Sequence, residues 1–180
     1  MKVKHTLAAL LCFAASLNAF AAGEIQSASL EFATGNKTQM LRFGVQSDWD
    51  VRWLSGNGTH VGGYWEGTLA AWRGNQHQNV PGKRQNFTDF GFTPVFRWQA
   101  DNKRGFYAEG GIGFHYLSDL YDNDGRRLST HFQFGDHIGV GYVFDNNWEV
   151  AAKIQHFSNG GYKKPNSGVN FFVLKAAYRF

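Results

Sequence analysis

Cysteine is almost absent from this chain of 180 residues, and the single example is Cys12. It lies in an N-terminal segment that we expect to be removed on export, so the mature protein is predicted to have neither disulfides nor thiol chemistry. The alternative is that Cys12 is acylated and anchors a soluble β-protein to a membrane. We prefer cleavage, because Leu10-Leu11 matches a lipidation motif poorly and acylation would cut the apolar run short.

The first 21 residues have the pattern of a signal peptide. Lys2 and Lys4 precede an apolar run from Thr6 to Leu17, and Ala19-Phe20-Ala21 is a small-x-small cleavage site. We therefore predict that residues 1–21 are cleaved and that residues 22–180 form a single domain. Export without cysteine suits a bacterial envelope protein.

The chain also lacks any long apolar run after the export segment. A helical membrane protein needs about 20 consecutive apolar residues for each span, so that class is excluded. Yet 17% of the residues are aromatic, 22 are glycine, and the mean hydropathy is −0.39. A transmembrane β-barrel needs only alternating segments of about 10 residues, with aromatic residues at the membrane interfaces. The composition indicates this architecture.

Eight alternating segments follow the signal, separated by turn-forming residues. They span residues 26–34, 39–49, 60–72, 87–98, 106–118, 130–144, 148–158 and 169–180. Their lengths suit tilted membrane-spanning strands, and eight is the smallest common barrel. We therefore predict an all-β fold, an eight-stranded antiparallel transmembrane β-barrel of the bacterial outer membrane. Because small barrels fill their interiors with side chains, we expect polar packing inside and no channel.

The connections predict an orientation for this barrel. With a periplasmic N-terminus, the periplasmic turns are residues 54–58, 100–104 and 145–147, and the outer loops are residues 35–38, 73–86, 120–129 and 159–168. Short turns inside and longer loops outside are typical of outer-membrane barrels.

The seventh segment ends in an apolar face that carries two polar side chains. Side chains alternate along a strand, so Val150, Ala152 and Ile154 share one face with His156 and Ser158. In the orientation above, this pair lies in the outer leaflet. A serine needs a base to become a nucleophile, and the base needs a third group to fix its tautomer. His156 and Ser158 could therefore be a catalytic base and its nucleophile. The alternative is that a histidine and a serine lie two residues apart by chance.

Two residues could supply the third group. If residues 145–147 form a three-residue turn, Asp136 lies opposite His156. Asp136 interrupts an apolar outward face, where a carboxylate without a partner costs several kcal/mol. A partner imidazole explains that cost, and so does a rim position in water. Asn170 has the same outward parity at the start of the last segment, near the same level.

The predicted outer loops hold further candidates. Residues 159–168 could bring backbone N–H groups and an amide to an oxyanion. Arg126, Arg127, Lys163 and Lys164 also fall in these loops. They suit the phosphates of lipopolysaccharide, the lipid of the outer leaflet, and they equally suit a solvated rim.

A family resemblance is visible in these residues. The segment His156-Phe157-Ser158-Asn159, followed by Lys163-Lys164-Pro165-Asn166-Ser167-Gly168, resembles the signature of the lipid A 3-O-deacylase (PagL) family. The likeness extends to Glu109-Gly110-Gly111-Ile112-Gly113 and to Phe134-Gly135-Asp136-His137-Ile138-Gly139, and more loosely to the whole mature chain. The C-terminal motif is the specific part.

The resemblance implies an outer-membrane serine esterase that hydrolyses the 3-O-linked acyl ester of lipid A and releases a 3-hydroxy fatty acid. It implies no cofactor and no metal. His156 would be the base and Ser158 the nucleophile, on the lipid-facing side. Asn159, Gly161 and Asn166 occupy the positions at which family residues shape the oxyanion site.

The chain departs from the family at the acid. Asn170 stands where the family's Glu or Asp would be, which leaves three outcomes open: Asp136 supplies the carboxylate, Asn170 orients His156, or activity is weak. We favour Asp136 and Asn170 acting together, and we expect Asp136→Asn to cost far more activity than Asn170→Ala.

The implied partners are lipopolysaccharide in the outer leaflet and membrane lipids, with no nucleic acid. Whether the barrel is a homodimer is left open. The alternative function is a catalytically weak or silent structural barrel that binds lipopolysaccharide.

Overall fold

The computed structural model describes residues 24–180. The predicted signal peptide and Cys12 lie outside these residues. The described chain forms the strands β1 (Ser27–Gly35), β2 (Thr38–Asp48), β3 (Trp53–Gly56), β4 (Thr59–Gly74), β5 (Gln85–Ala100), β6 (Gly105–Leu117), β7 (Asp122–Asn123), β8 (Arg126–Arg127), β9 (Phe132–Val143), β10 (Trp148–Ser158) and β11 (Val169–Arg179). No helix in this part of the chain is long and apolar enough to cross a membrane.

Eight of these strands form a closed antiparallel barrel. Around the barrel the strands follow the order β1, β2, β4, β5, β6, β9, β10 and β11, and each pairs with the next. The pairing of β11 with β1 closes the barrel. The remaining three are short: β3 pairs with β4, and β7 pairs with β8 within a loop. The predicted eight-stranded all-β barrel is confirmed, and its strands correspond to the eight predicted segments with ends shifted by a few residues.

The connections lie at two ends of the barrel. Residues 36–37, 75–84, 118–131 and 159–168 connect strands at one end, which we call the loop end. Residues 49–58, 101–104 and 144–147 lie at the other, the turn end. Loop-end segments touch each other, since the pairs His77–Asn123 and Leu128–Asn166 form isolated β-bridges.

Alternation along each strand separates the interior from the outer face. In β11, Phe172 and Leu174 are exposed, whereas Phe171 and Val173 are buried. In β10, Ile154 points outward and Lys153 is buried. The outer surface is thus a band of apolar side chains, as a lipid-facing surface requires.

The interior near the turn end is charged. We call its buried side chains the polar layer: Glu31, Arg42, Tyr64, Glu66, Arg97, Tyr107, Glu109, Glu149, Lys153 and Lys175. Arg97 bridges two carboxylates, at 2.7 Å to Glu109 and 2.9 Å to Glu149. Lys153 lies 2.6 Å from Glu31. Four cations therefore face four carboxylates in this layer, so the interior carries paired charges, which is the condition for burying them.

The interior near the loop end holds more apolar side chains, beside the buried polar residues Asp89, His115 and Gln133. We call the apolar and aromatic side chains buried there the aromatic layer: Met40, Trp72, Phe87, Leu117, Tyr121, Leu128, Phe157, Val169 and Phe171. The Trp72 ring lies 4.9 Å from Phe157 and 4.8 Å from Phe171, both edge-on, an arrangement that aromatic pairs prefer. The expectation of polar packing is therefore met only in part in this half, because inward positions near the loops hold aromatic residues beside Asp89, His115 and Gln133.

Candidate active site

The candidate site lies on the outer face at the loop end, where β10 ends and β11 begins. His156 and Ser158 both point outward and are half-buried, as their parity predicts. Phe157, between them, points inward and is 0% exposed within the aromatic layer. One buried ring therefore fixes the backbone that presents both polar side chains.

Asn170 orients the imidazole. It is the register partner of His156 on β11, and its Oδ1 lies 2.6 Å from His156 Nδ1. An amide oxygen only accepts, so Nδ1 donates this hydrogen bond and carries the proton. The other ring nitrogen, Nε2, is then the basic one. A general base needs this tautomer.

Gly168 fixes the direction in which the ring leans. A Cβ at this position would lie 2.5 Å from His156 Cε1 and 3.1 Å from Nε2, and its φ is +65°. Both the close approach and the left-handed backbone require glycine. The imidazole therefore lies over the last residue of the loop, on the β11 side of its strand.

Asp136 lies on the opposite side of His156. The predicted register is found, since Asp136 and His156 are partners between β9 and β10. Among residues 24–180, however, the half-buried Asp136 carboxylate makes no hydrogen bond or ion pair. The ring leans toward Gly168 and Asn170, so of the two predicted partners only Asn170 contacts the imidazole.

Ser158 follows on the same face. Its Oγ accepts a hydrogen bond from the Gly160 N–H at 3.4 Å, and no hydrogen bond in the described chain joins it to His156. Residues two apart on a strand are about 6.6–6.8 Å apart, so side-chain rotation has to close the gap. Catalytic hydrogen bonds often tighten only when substrate is bound.

The loop 159–168 is organised around Asn159, which is 3% exposed. Its side-chain Oδ1 accepts from the Gly161 N–H at 3.0 Å, and its Nδ2 donates to the Lys163 carbonyl at 2.7 Å. Its own N–H donates to Asn166 Oδ1 at 3.1 Å. The three predicted oxyanion residues therefore meet in one loop. Asn166 Nδ2 has no partner in the described chain, whereas the N–H groups of Asn159 and Gly161 are already bonded.

The four basic candidates differ in the partners of their side chains. Arg126 donates to the carbonyls of Ser167 at 2.8 Å and Gly168 at 3.3 Å, beside the site. Arg127 pairs with Asp122 at 3.3 Å. The ammonium groups of Lys163 and Lys164 are exposed and have no hydrogen-bond or ion-pair partner within residues 24–180.

The bracing of the site by a second loop is not predictable from the sequence. Ser129 Oγ donates to the Lys163 carbonyl at 2.8 Å, and Ser167 N–H donates to the Arg127 carbonyl at 3.0 Å. Strand order alone predicts that loops 118–131 and 159–168 are neighbours. Which atoms meet depends on loop conformation, for which the sequence gives no periodic signal. Residues 24–180 contain no group of three or more His, Cys, Asp or Glu side chains placed to hold a metal.

Sequence comparison points to a single family. A family model described as lipid A 3-O-deacylase (PagL) matches residues 39–179. The lipid A deacylase PagL of Pseudomonas aeruginosa is 30% identical over 142 residues, or 79% of this chain and 79% of that protein. The lipid A deacylase PagL of Bordetella bronchiseptica is 39% identical over 87 residues, or 48% of this chain and 47% of that protein.

Structure comparison agrees. The crystal structure of the outer membrane enzyme PagL matches with a TM-score of 0.73 and 25% identity, covering 86% of this chain and 99% of that one. The crystal structure of Neisserial surface protein A matches with a TM-score of 0.51 and 12% identity, covering 86% of this chain and 94% of that one. This likeness shows the fold alone. The predicted location in the outer membrane is confirmed, and so is the family resemblance of the segment that begins at His156. This chain belongs to the lipid A 3-O-deacylase (PagL) family.

Proposed function

We propose that this protein is an outer-membrane serine esterase that hydrolyses the 3-O-linked acyl ester of lipid A and releases a 3-hydroxy fatty acid. The observation that supports this most directly is the 2.6 Å contact between His156 Nδ1 and Asn170 Oδ1 on the outer face of the barrel. It holds the imidazole in the tautomer of a base, two residues from a serine hydroxyl, in a chain of the deacylase family.

The reaction has two stages. Ser158 Oγ attacks the ester carbonyl while His156 Nε2 takes its proton. As the bond between the acyl carbon and the sugar oxygen breaks, the imidazolium gives this proton to the departing sugar oxygen, which leaves as a hydroxyl. This leaves the acyl group on Ser158. Water, deprotonated by His156, attacks the acyl-enzyme and frees the fatty acid, and the proton returns to Ser158.

Asn170 and Asp136 have different roles in this proposal. Asn170 orients the ring by its hydrogen bond but brings no charge. Asp136 has no contact with the ring, yet as a register partner its Cα lies about 4.5–5.5 Å from that of His156. The Asp136 carboxylate would act, without contacting the ring, on the positive charge that develops on His156 when it takes the serine proton. Orientation and charge, which one acid supplies in the usual triad, are here divided between two strands.

Two donors are placed to stabilise the oxyanion. The Gly160 N–H already contacts Ser158 Oγ at 3.4 Å, and Asn166 Nδ2 is the unpartnered amide of the loop. Preorganised donors of this kind contribute about 10²–10³ in rate. Asn159 and Gly161 shape the loop that positions them.

The substrate would lie with its acyl chains along the apolar outer face and its phosphates at the loop end. Arg126 is a basic residue beside the site, since it bonds the Gly168 carbonyl next to His156. Only part of its guanidinium is used there, and the remaining N–H groups suit a phosphate. This requires the loop end to face the outside of the cell.

Mass spectrometry of lipid A tests the proposal. Purified protein incubated with lipopolysaccharide should remove one 3-hydroxyacyl chain, and the free 3-hydroxy fatty acid should appear in equal amount. Ser158→Ala should lose this activity while keeping the folded barrel. An unchanged lipid A profile with wild-type protein contradicts the proposal.

A second function is a barrel that binds lipopolysaccharide without hydrolysing it. The observations in its favour are the amide in place of the family acid and the absence of a Ser158–His156 hydrogen bond in the described chain. It predicts the same binding of lipopolysaccharide by wild type and by Ser158→Ala, with no fatty acid released by either.

A further inference from the structure

A cleft at the loop end lies apart from the candidate active site, since neither His156 nor Ser158 lines it. It opens between loops 75–84, 118–131 and 159–168 and has a volume of about 490 Å³. Ligand pockets in proteins typically measure about 300–1,000 Å³. Almost all of its lining residues lie in the loop-end segments beyond the long strands, so it suits a water-exposed ligand.

The charges that line this cleft do not cancel. Asp122 is paired with Arg127 at 3.3 Å, and Asp119 accepts hydrogen bonds from Gln85 Nε2 and from the Leu120 N–H. In contrast, Lys163 and Lys164 line the cleft without a partner in the described chain. Three cationic side chains line the cleft against two carboxylates, and the two ammonium groups are free, so the net charge of the lining is positive.

The cleft shares its wall with the catalytic loop. The Lys163 carbonyl accepts hydrogen bonds from Ser129 Oγ at 2.8 Å and from Asn159 Nδ2 at 2.7 Å. Asn159 directly follows Ser158. Loop 159–168 therefore begins directly after the outward-facing serine, and further along it presents two lysines to the cleft.

We propose that this cleft binds the carboxylate- and phosphate-bearing sugars that are joined to lipid A in lipopolysaccharide. The inference rests on the proposed function, because it takes the ester and the sugars to belong to one substrate molecule. The ester lies in the leaflet at Ser158, and the attached sugars extend outward to the level of the loops. Lys163 and Lys164 meet their anionic groups, and the polar side chains of His77 and Gln78 face their hydroxyl groups.

Binding of a lipid-free ligand tests the cleft without catalysis. The probe is the oligosaccharide released from lipopolysaccharide by mild acid, titrated against Ser158→Ala protein in detergent micelles. We expect saturable binding that weakens with salt, and a loss of about tenfold when Lys163→Ala and Lys164→Ala are added. Arg73→Ala with Arg84→Ala, which removes two exposed loop-end cations outside the cleft, should leave the affinity unchanged.

Two further probes in the same titration show which anionic group of the sugars the lysines bind. An oligosaccharide stripped of phosphate but retaining its carboxylates should bind as tightly as the intact probe if carboxylates are the ligands, and more weakly if phosphates are. A neutral oligosaccharide of similar length should not bind. Equal binding of the neutral probe, or equal loss in both double variants, overturns the proposal.

Catalysis gives a separate readout. The wild type should deacylate lipopolysaccharide with a higher kcat/KM than lipid A lacking its sugars, and the Lys163→Ala/Lys164→Ala variant should lose most of this preference. A wild type with equal kcat/KM on both substrates overturns the cleft proposal and leaves the deacylase intact. No deacylation of either substrate contradicts the proposed function instead, and the binding titration then decides the cleft alone.

Discussion

The two halves of the barrel interior differ in how far they depend on charge pairs and on aromatic packing. The polar layer near the turn end holds four cations against four carboxylates, whereas the aromatic layer near the loop end has Trp72 in edge-on contact with Phe157 and Phe171. The aromatic layer lies behind the candidate site, where Phe157 is buried. Charged pairs with many partners specify which strands meet, and close-packed rings hold a short stretch of backbone rigidly.

This difference matters because of strand alternation. Phe157 is buried between outward His156 and Ser158, and Phe171 is buried directly after outward Asn170. Each chemical side chain is therefore neighboured in sequence by an anchor in the aromatic layer. The comparison predicts that damage to the polar layer costs folding, while damage to the aromatic layer costs both folding and catalysis.

The largest expected effect is on stability, from Arg97→Ala. It leaves the carboxylates of Glu109 and Glu149 buried without their shared cation, at a cost of about 5 kcal/mol, the upper end of the range for one lost partner. Heat-modifiable mobility on gels should show little folded barrel. The exposed Arg84→Ala is the control and should fold normally. Normal folding of Arg97→Ala would mean that water reaches the polar layer.

Phe157→Ala should reduce both stability and rate. The cavity left among Trp72 and Phe171 should lower the free energy of unfolding by about 3–4 kcal/mol. At a temperature where the variant is still folded, kcat should fall, because the backbone of His156 and Ser158 loses its anchor. Phe172→Ala, on the outer face, leaves no cavity and should cost less. Loss of stability with an unchanged kcat would show that the aromatic layer does not position the site.

Gly168→Ala should act on catalysis with a small effect on stability. The new methyl group would meet His156 Cε1 at 2.5 Å, and the exposed ring has to move. Displacing a base by about 1 Å costs on the order of 10²-fold in rate. Gly82→Ala has a similar backbone, with φ +79° and nothing within 4 Å, so it controls for strain alone. Equal kcat values for both variants would contradict the packing of His156 on Gly168.

Much of this arrangement is predictable from the sequence, for a physical reason. A strand has a period of two and a short turn fixes its register, so the outward parity of His156 and the pairing with Asp136 both follow from counting. The expectation of polar packing misses the aromatic layer, although the inward parity of Phe87, Phe157 and Phe171 is the signal that could have indicated it.

The rest depends on side-chain torsions and loop backbone. Asp136 and Asn170 are both register partners of His156, and counting cannot choose between them. The choice is made by the direction of the ring over Gly168, which depends on a positive φ and on the bracing of Gly168 by Arg126. These contacts have no period in the sequence.

The most direct test of the account is therefore the relative rate of two variants, Asn170→Ala and Asp136→Asn, at equal amounts of folded protein. The sequence alone favours the larger loss for Asp136→Asn. The hydrogen bond from His156 to Asn170 predicts the reverse: Asn170→Ala should lose about 10³–10⁴ in kcat, comparable to losing the orienting group of a triad, and Asp136→Asn about tenfold or less. Near-normal turnover by Asn170→Ala, with Asp136→Asn inactive, would contradict the claim that an amide orients the catalytic base.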